Sequence, residues 1–280
     1  MKTPRSLEPL VNEGIIDEVI RPLKSGKEAS VYVVRCDGAI RCAKVYKEAH
    51  QRGFHKQVLY REGRKVRNSR QARAMEKGSR YGRQQQEDVW QNVEVDALYR
   101  LAAAGVRVPQ PYNYLEGVLL MELVVDESGE AAPRLNDIEL TGEQALDYHG
   151  QLIGNVVKML CGGLIHGDLS EFNILVDAQG PVIIDLPQAV DAAANNNAAR
   201  MLERDVNNLA AYFGRYAPEL LATSYGKEIW YIYESGNLTP TTKLTGHFKG
   251  SHKQADLESI MREIDDAREE ALRHKLERAG

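Results

Sequence analysis

The hydrophobic period changes along this chain, and that change limits its fold more than any other feature. In the first half, Val31 and Val33 of "SVYVV" and Ala43 and Val45 of "CAKVY" alternate with other residues around a turn at "CDG", 36–38. Period two is the mark of a β-hairpin. "VPQPYNYLEGVLLMELV" adds two further strands around a turn near Glu116–Gly117. Between them Trp90, Val93, Ala97, Leu98, Leu101 and Ala102 form one helical stripe, with Gly105 placed to end it. In the second half the spacing turns helical. One helix runs from Leu146 to Leu160 and stops at the glycines 162–163, and others are expected around 198–213 and 218–233. Strands gathered in one half and helices in the other predict an α+β fold.

Residues 50–87 belong to neither pattern. From Arg52 to Arg83 there are eleven Lys/Arg against two acids, Glu62 and Glu76. Such a run is ordinarily a solvated loop, and its charge also suits RNA or another polyanion. Ser69 and Ser79 within it are candidate phosphorylation positions. The stretch 239–253 is a loop by composition, and its His247 and His252 read as loop histidines rather than metal ligands. Leu257, Ile260, Met261, Ile264, Ala267 and Leu272 make a C-terminal amphipathic helix, over 254–280, too acidic to lie on a membrane.

The whole chain carries a net charge of −4, so it is not a polyanion binder overall. At 280 residues it can bury a sizeable core without staples. Cys36, Cys42 and Cys161 show no metal or redox spacing, which points to small buried residues in a reducing compartment. No stretch approaches 18 apolar residues, and the start has no apolar core of signal-peptide length, so a cytoplasmic protein with no membrane partner is expected.

Chemistry concentrates in "HGDLSEFNILV", 166–176. Asp168 precedes Asn173 by five residues, and Asp185 follows Asn173 by twelve at the end of "VIID". A turn at "DAQGP", 177–181, would fold the two apolar stretches together and set Asn173 beside Asp185. An amide oxygen next to a carboxylate suits Mg²⁺, with Mn²⁺ able to stand in, because such ions take oxygen ligands and keep water and phosphate. Asp168 then stands one step away as the acceptor of a hydroxyl proton. Each of the three residues alone fits a turn cap; together, in this order, they argue for catalysis. Lys44, late in a strand, needs a partner if it points inward. Glu94 on the helix is the natural one, as in protein kinases, where such a pair reaches the α- and β-phosphates.

Taken together, "AKVYK" at Lys44, Glu94, "HGDLSEFNIL", "IIDLPQAVD", the loop "KSGKEASVY" (24–32) and "LERDVNNLAAYF" (202–213) resemble the RIO-type atypical serine/threonine protein kinases over roughly residues 15–235. The resemblance implies a bilobal, kinase-like α+β fold. Its β-rich N-lobe would span 15–121 after an N-terminal segment 1–14. A hinge would follow at 122–125, then a mostly helical C-lobe at 126–253 without an activation segment. It implies ATP and Mg²⁺ as cofactors, a protein substrate with self-phosphorylation, and possible ATPase activity through an aspartyl phosphate at Asp185. Ser25, Gly26 and Lys27 would hold phosphates. Met121 would line the adenine site, and the backbone of Glu122 and Val124 would bond the base. Relatives act in ribosome maturation, which adds a ribosomal particle as a partner for the loop 52–83.

The sequence departs from ordinary kinases in having no His-Arg-Asp, no Asp-Phe-Gly and only one loop glycine, Gly26. "APE" at 217–219 resembles the end of an activation segment, but Leu202, Val206, Leu209, Ala210 and Phe213 have helical spacing where that segment would be extended. Two alternatives stay open. A small-molecule kinase of the aminoglycoside or choline type shares His-Gly-Asp-Leu, although "SEF" here replaces its usual His-Pro-x. A nucleotide-switched assembly factor would use ATP to control release from a ribonucleoprotein.

Overall fold

The computed structural model describes residues 3–26, 29–47 and 93–248. Its first half is a five-stranded antiparallel sheet in the order β1-β2-β3-β5-β4. The strands are β1 (Glu18–Ser25), β2 (Ala29–Cys36), β3 (Ala39–Tyr46), β4 (Pro111–Leu115) and β5 (Val118–Glu122). Two tight turns set the register. Asp37 and Gly38 both have positive φ, at 51° and 75°, as do Glu116 and Gly117, at 52° and 72°. A two-residue loop with both φ positive matches the twist of the strands it joins, and Asp-Gly is its preferred sequence. Pro22 is tolerated because β1 lies at the sheet edge.

Period two then sorts β3 by face. Ala43 and Val45 enter a core with Val34, Val118 and Leu120. Leu7 and Leu10, from a short helix α1 (Glu8–Asn12) and the residue before it, close the same core. Cys42, Lys44 and Tyr46 face the other way, into a cleft. Helix α2, described over 93–103, packs on the cleft side, and its Leu98 and Leu101 join the core of the second half. Gly105, φ 71°, ends it, as expected.

The second half centres on α3 (Gly142–Cys161), whose start is fixed by a capping box between Thr141 and Gln144. A hairpin follows, β7 (Ile174–Asp177) with β8 (Gly180–Ile183), flanked by the two-residue strands β6 (Leu164–Ile165) and β9 (Val190–Asp191). Helix α4 (Ala198–Phe213) buries Leu202, Val206, Leu209 and Phe213 against α3. An extended activation segment over those residues is therefore excluded. The helix expected over 218–233 is two pieces: a 3₁₀ turn, Pro218–Ala222, with Pro218 at its first position, and α5 (Tyr225–Glu234). The break at Thr223–Ser224 has a tertiary cause, because the Ser224 N–H donates to Gly246 O at 2.7 Å instead of continuing the helix.

Cys36 and Cys42 are buried free thiols, whereas Cys161, expected to be buried, is exposed at the end of α3. Among the described residues no helix is long and apolar enough to cross a membrane. The loop 50–87 and the C-terminal helix over 254–280 lie outside the described residues, as do Lys27, Ser69, Ser79, Trp90 and His252.

One buried group makes stability depend on pH. His149 on α3 is 2% exposed, has no partner for Nε2 among the described residues, and packs edge-on to Phe213 with ring centroids 5.8 Å apart. Burial pulls its pKa from 6.5 down to about 4. Between those values the unfolded chain binds a proton that the folded one refuses. His149's contribution is therefore complete above pH 6.5 and lost as pH falls toward 4, by roughly 3 kcal/mol. Asp205, which burial pushes up to about 6, works in the opposite direction over part of this range. Comparing chemical denaturation of the wild type and His149→Phe from pH 7 to pH 4.5 isolates the imidazole. The wild type is expected to lose the larger share of its stability, and parallel curves would refute the assignment.

Candidate active site

The cleft between the sheet and the helical half has a volume of about 800 Å³. Lys44 reaches into it from β3, opposite Leu119 of β5. Its Nζ donates to Glu94 Oε1 at 2.5 Å and to Asp185 Oδ1 at 3.2 Å. Glu94 is 5% exposed, so this ion pair joins sheet to helix α2 in a largely dry setting. Burial pulls the Lys44 ammonium down, but Glu94 and Asp185 outweigh it and hold the group well above its ordinary value. It stays charged at any physiological pH.

The β7–β8 hairpin brings the two oxygen donors together. Ile174 pairs with Ile183, and the ladder continues one step, with the Ile184 N–H donating to Asn173 O at 2.9 Å. Asp185 is the next residue. It adopts φ 68°, a left-handed conformation that non-glycine residues rarely hold, and 44% of its side chain remains exposed. Burial pushes its carboxyl up, but the Lys44 charge and hydrogen bond, with smaller help from His166 and Arg134, hold it below the usual range. Asn173 donates through Nδ2 to Asp168 O at 2.9 Å, which leaves its amide oxygen for another ligand. Among the described residues no group of three His, Cys, Asp or Glu could hold a metal. Asn173 and Asp185 are instead a sparse pair, of the kind that Mg²⁺ completes with water and phosphate oxygens.

Asp168 is exposed, and its Oδ2 accepts a long bond of 3.3 Å from Gln188. Its neighbours are fixed far more firmly. The Asp168 N–H donates to His166 Nδ1 at 3.2 Å, and His166 Nε2 donates to Ile184 O at 3.1 Å. From α4, Asp205 accepts from Gly167 N at 2.7 Å and Leu169 N at 3.2 Å, Asn208 donates to Leu169 O at 3.0 Å, and Arg204 donates to Gly167 O. "LERDVNN" contains all three clamping residues. Sequence reasoning noted the stretch without seeing its task. The available signal was an acid on the apolar stripe of a helix, where it must be paired.

At the other end of the cleft, Ser25 and Gly26 close β1. Lys47 Nζ donates to Ser25 Oγ at 3.0 Å and Gly26 O at 2.7 Å. Lys47 was missed from sequence. Met121, Glu122 and Val124, assigned from the sequence to an adenine site, all line the cleft. The Glu122 N–H is used by Gln110 O at 2.8 Å, and Val124 O accepts from Ala132 N at 3.0 Å. The Glu122 carbonyl and the Val124 N–H are the groups left to consider for a base edge.

Comparison with known proteins gives a consistent answer. The family model "RIO domain" matches residues 30–225. A RIO-type serine/threonine-protein kinase Rio1 of Haloferax volcanii is 35% identical over 210 residues, covering 74% of this chain and 67% of the relative. The serine/threonine-protein kinase rio1 of Schizosaccharomyces pombe is 30% identical over 224 residues, covering 76% of this chain. The matched part is 42% of that fungal relative's own length. In fold, the chain is similar to the Rio2 kinase of Chaetomium thermophilum, solved as an ADP/Mg²⁺–phosphoaspartate complex. The TM-score is 0.53 at 21% identity, covering 94% of this chain and 75% of the other.

Proposed function

The chain belongs to the RIO domain family, and from that membership we propose that it transfers the γ-phosphoryl group of ATP to protein serine or threonine hydroxyls, its own included. The Lys44–Glu94 pair, extended to Asp185, carries this reading. A largely buried, permanently charged lysine that bridges the two halves is suited to hold the α- and β-phosphates. Ser25, Gly26 and Lys27 would cover the phosphates, with Lys47 fixing the first two. Met121 would pack on adenine, with the Glu122 carbonyl and the Val124 N–H at its edge.

Asn173 and Asp185 fit Mg²⁺ by their donor set, and that ion would supply neutralisation of charge on the phosphate tail. Asp168 would orient the acceptor hydroxyl and take its proton as oxygen attacks phosphorus and ADP departs. The exposed, ionised Asp185 carboxylate also supports a second outcome. Its own attack on the γ-phosphorus, with the β–γ bridge bond breaking and ADP leaving, would give an acyl phosphate. Water would then release inorganic phosphate and restore the carboxylate, which amounts to ATPase activity. A protein acceptor, a ribosomal particle as partner and a cytoplasmic site of action belong to the same proposal. The basic loop 52–83, which lies outside the described residues, supports the ribosomal partner by its charge alone.

Incubating the pure protein with Mg²⁺ and γ-labelled ATP, then mapping the label, tests the proposal. Label on serine or threonine, stable to hydroxylamine, is the expected result. Hydroxylamine-labile label at Asp185 with free phosphate marks the ATPase route. Transfer only to an amino alcohol or aminoglycoside would establish the small-molecule alternative in its place.

A further inference from the structure

Among the described residues three cations line the cleft, Lys24, Lys44 and Arg134. Lys44 is held by Glu94 and Asp185, and Lys47 by Ser25 and Gly26. Lys24 and Arg134 are different. Both line the cleft, and among the described residues neither makes an ion pair.

They come from opposite halves. Lys24 is next to last in β1, one residue before Ser25. Arg134 follows the hinge and bridges by its backbone to Leu175 of β7, the strand that begins just after Asn173. Their charges interact. Burial and then Arg134 pull the Lys24 ammonium below its usual value, against Asp185 and Asp137. Arg134 also helps hold Asp185 down. Two like charges that face one cleft repel each other unless an anion lies between them. Asp185 has its close ion pair with Lys44, and Asp137, which also lines the cleft, makes no ion pair with either cation among the described residues. An arginine fork and a lysine point charge are together well matched to phosphate oxygens.

We propose that Lys24 and Arg134 form a cross-lobe clamp on the phosphate tail of the nucleotide, so that binding discriminates by phosphate number. The clamp rests on the phosphotransferase reading above and adds two positioning residues to it. Ligand anion turns the repulsion between the halves into attraction, which couples nucleotide binding to their approach.

Calorimetric titration of the full chain with ATP, ADP and adenosine, at two salt concentrations, tests this. Lys24→Ala and Arg134→Ala should each weaken ATP about tenfold, the size of one charge-assisted contact at a partly exposed site. The double variant should weaken ATP most, ADP less and adenosine not at all, and its salt dependence should be shallower. Lys24→Arg should retain most of the affinity, and Arg134→Lys, which keeps the charge but loses the fork, only part of it. Equal losses for ATP and adenosine would overturn the clamp, because they report general damage to the site. So would unchanged ATP affinity with a raised KM for a protein acceptor, which would assign the pair to the acceptor. Should the unaltered protein bind no ATP, the phosphotransferase reading falls together with the clamp; ATP binding indifferent to the double variant removes the clamp alone.

Discussion

Asp168→Ala is expected to lower phosphoryl transfer about 10³-fold while leaving ATP affinity within about threefold, a loss in the middle of the range for a positioned general base. The separation follows from where Asp168 sits. Its side chain makes one long bond, to Gln188, and takes no part in the Lys44–Glu94–Asp185 chain. What fixes the loop at this residue is backbone, namely its N–H to His166 and its carbonyl from Asn173. Truncation to alanine keeps both. Asp185 is a poor substitute base, since Lys44 outweighs burial and holds its carboxyl below the ordinary range. Lys44→Ala offers the contrast. It strands Glu94, 5% exposed, without a cation, so nucleotide affinity and stability should fall together. ATP affinity, phosphate release and protein labelling measured on the same Asp168→Ala sample decide the matter. Near-normal release and labelling would remove Asp168 from the chemistry.

How much of this was legible beforehand depends on which forces are local. Asp37-Gly38 and Glu116-Gly117 announce their hairpins because only certain residues accept positive φ in succession. Once β3 is a strand, period two alone sends Lys44 to the face opposite Ala43 and Val45. The turn at 177–181 likewise suffices to bring Asn173 beside Ile184 and Asp185. Contacts made across long stretches of sequence were not legible. Ser224 breaks a helix because of Gly246, and Lys47 ties Ser25 and Gly26 from the far end of a neighbouring hairpin. Lys24 and Arg134 belong to different halves, and only the folded cleft places both along its wall. Leu7 and Leu10 gave no periodic signal, since α1 is a five-residue helix too short to show one. Asp205 is the instructive miss. Its stripe neighbours Leu202, Val206 and Leu209 predicted burial correctly, and a buried carboxylate at that position already implied donors aimed at it.

Asp205→Ala should therefore be the most damaging single change to the site that touches no reactant. Asp205 is 2% exposed and satisfies two backbone N–H groups, those of Gly167 and Leu169, one on each side of Asp168. Removing it leaves both donors buried without an acceptor, at about 1–3 kcal/mol each. A loss of roughly 4 kcal/mol in a protein of this size lowers Tm by about 10 °C. Gly167 is also held at φ 81°, and with its N–H released that conformation loses one of its restraints, so Asp168 can shift with it. The kinetic signature follows from that displacement. At a temperature where the variant is fully folded, kcat should fall at least about a hundredfold, the scale expected for a misplaced reacting group, while KM for ATP stays near its starting value. Asp205→Asn keeps one oxygen acceptor but turns an amide donor toward the other N–H, so it should fall between the wild type and alanine in both Tm and kcat. A purely structural role would lower Tm without moving kcat in the folded protein. An alanine variant with wild-type Tm and wild-type kcat would show that Arg204 and Asn208 hold the loop without Asp205.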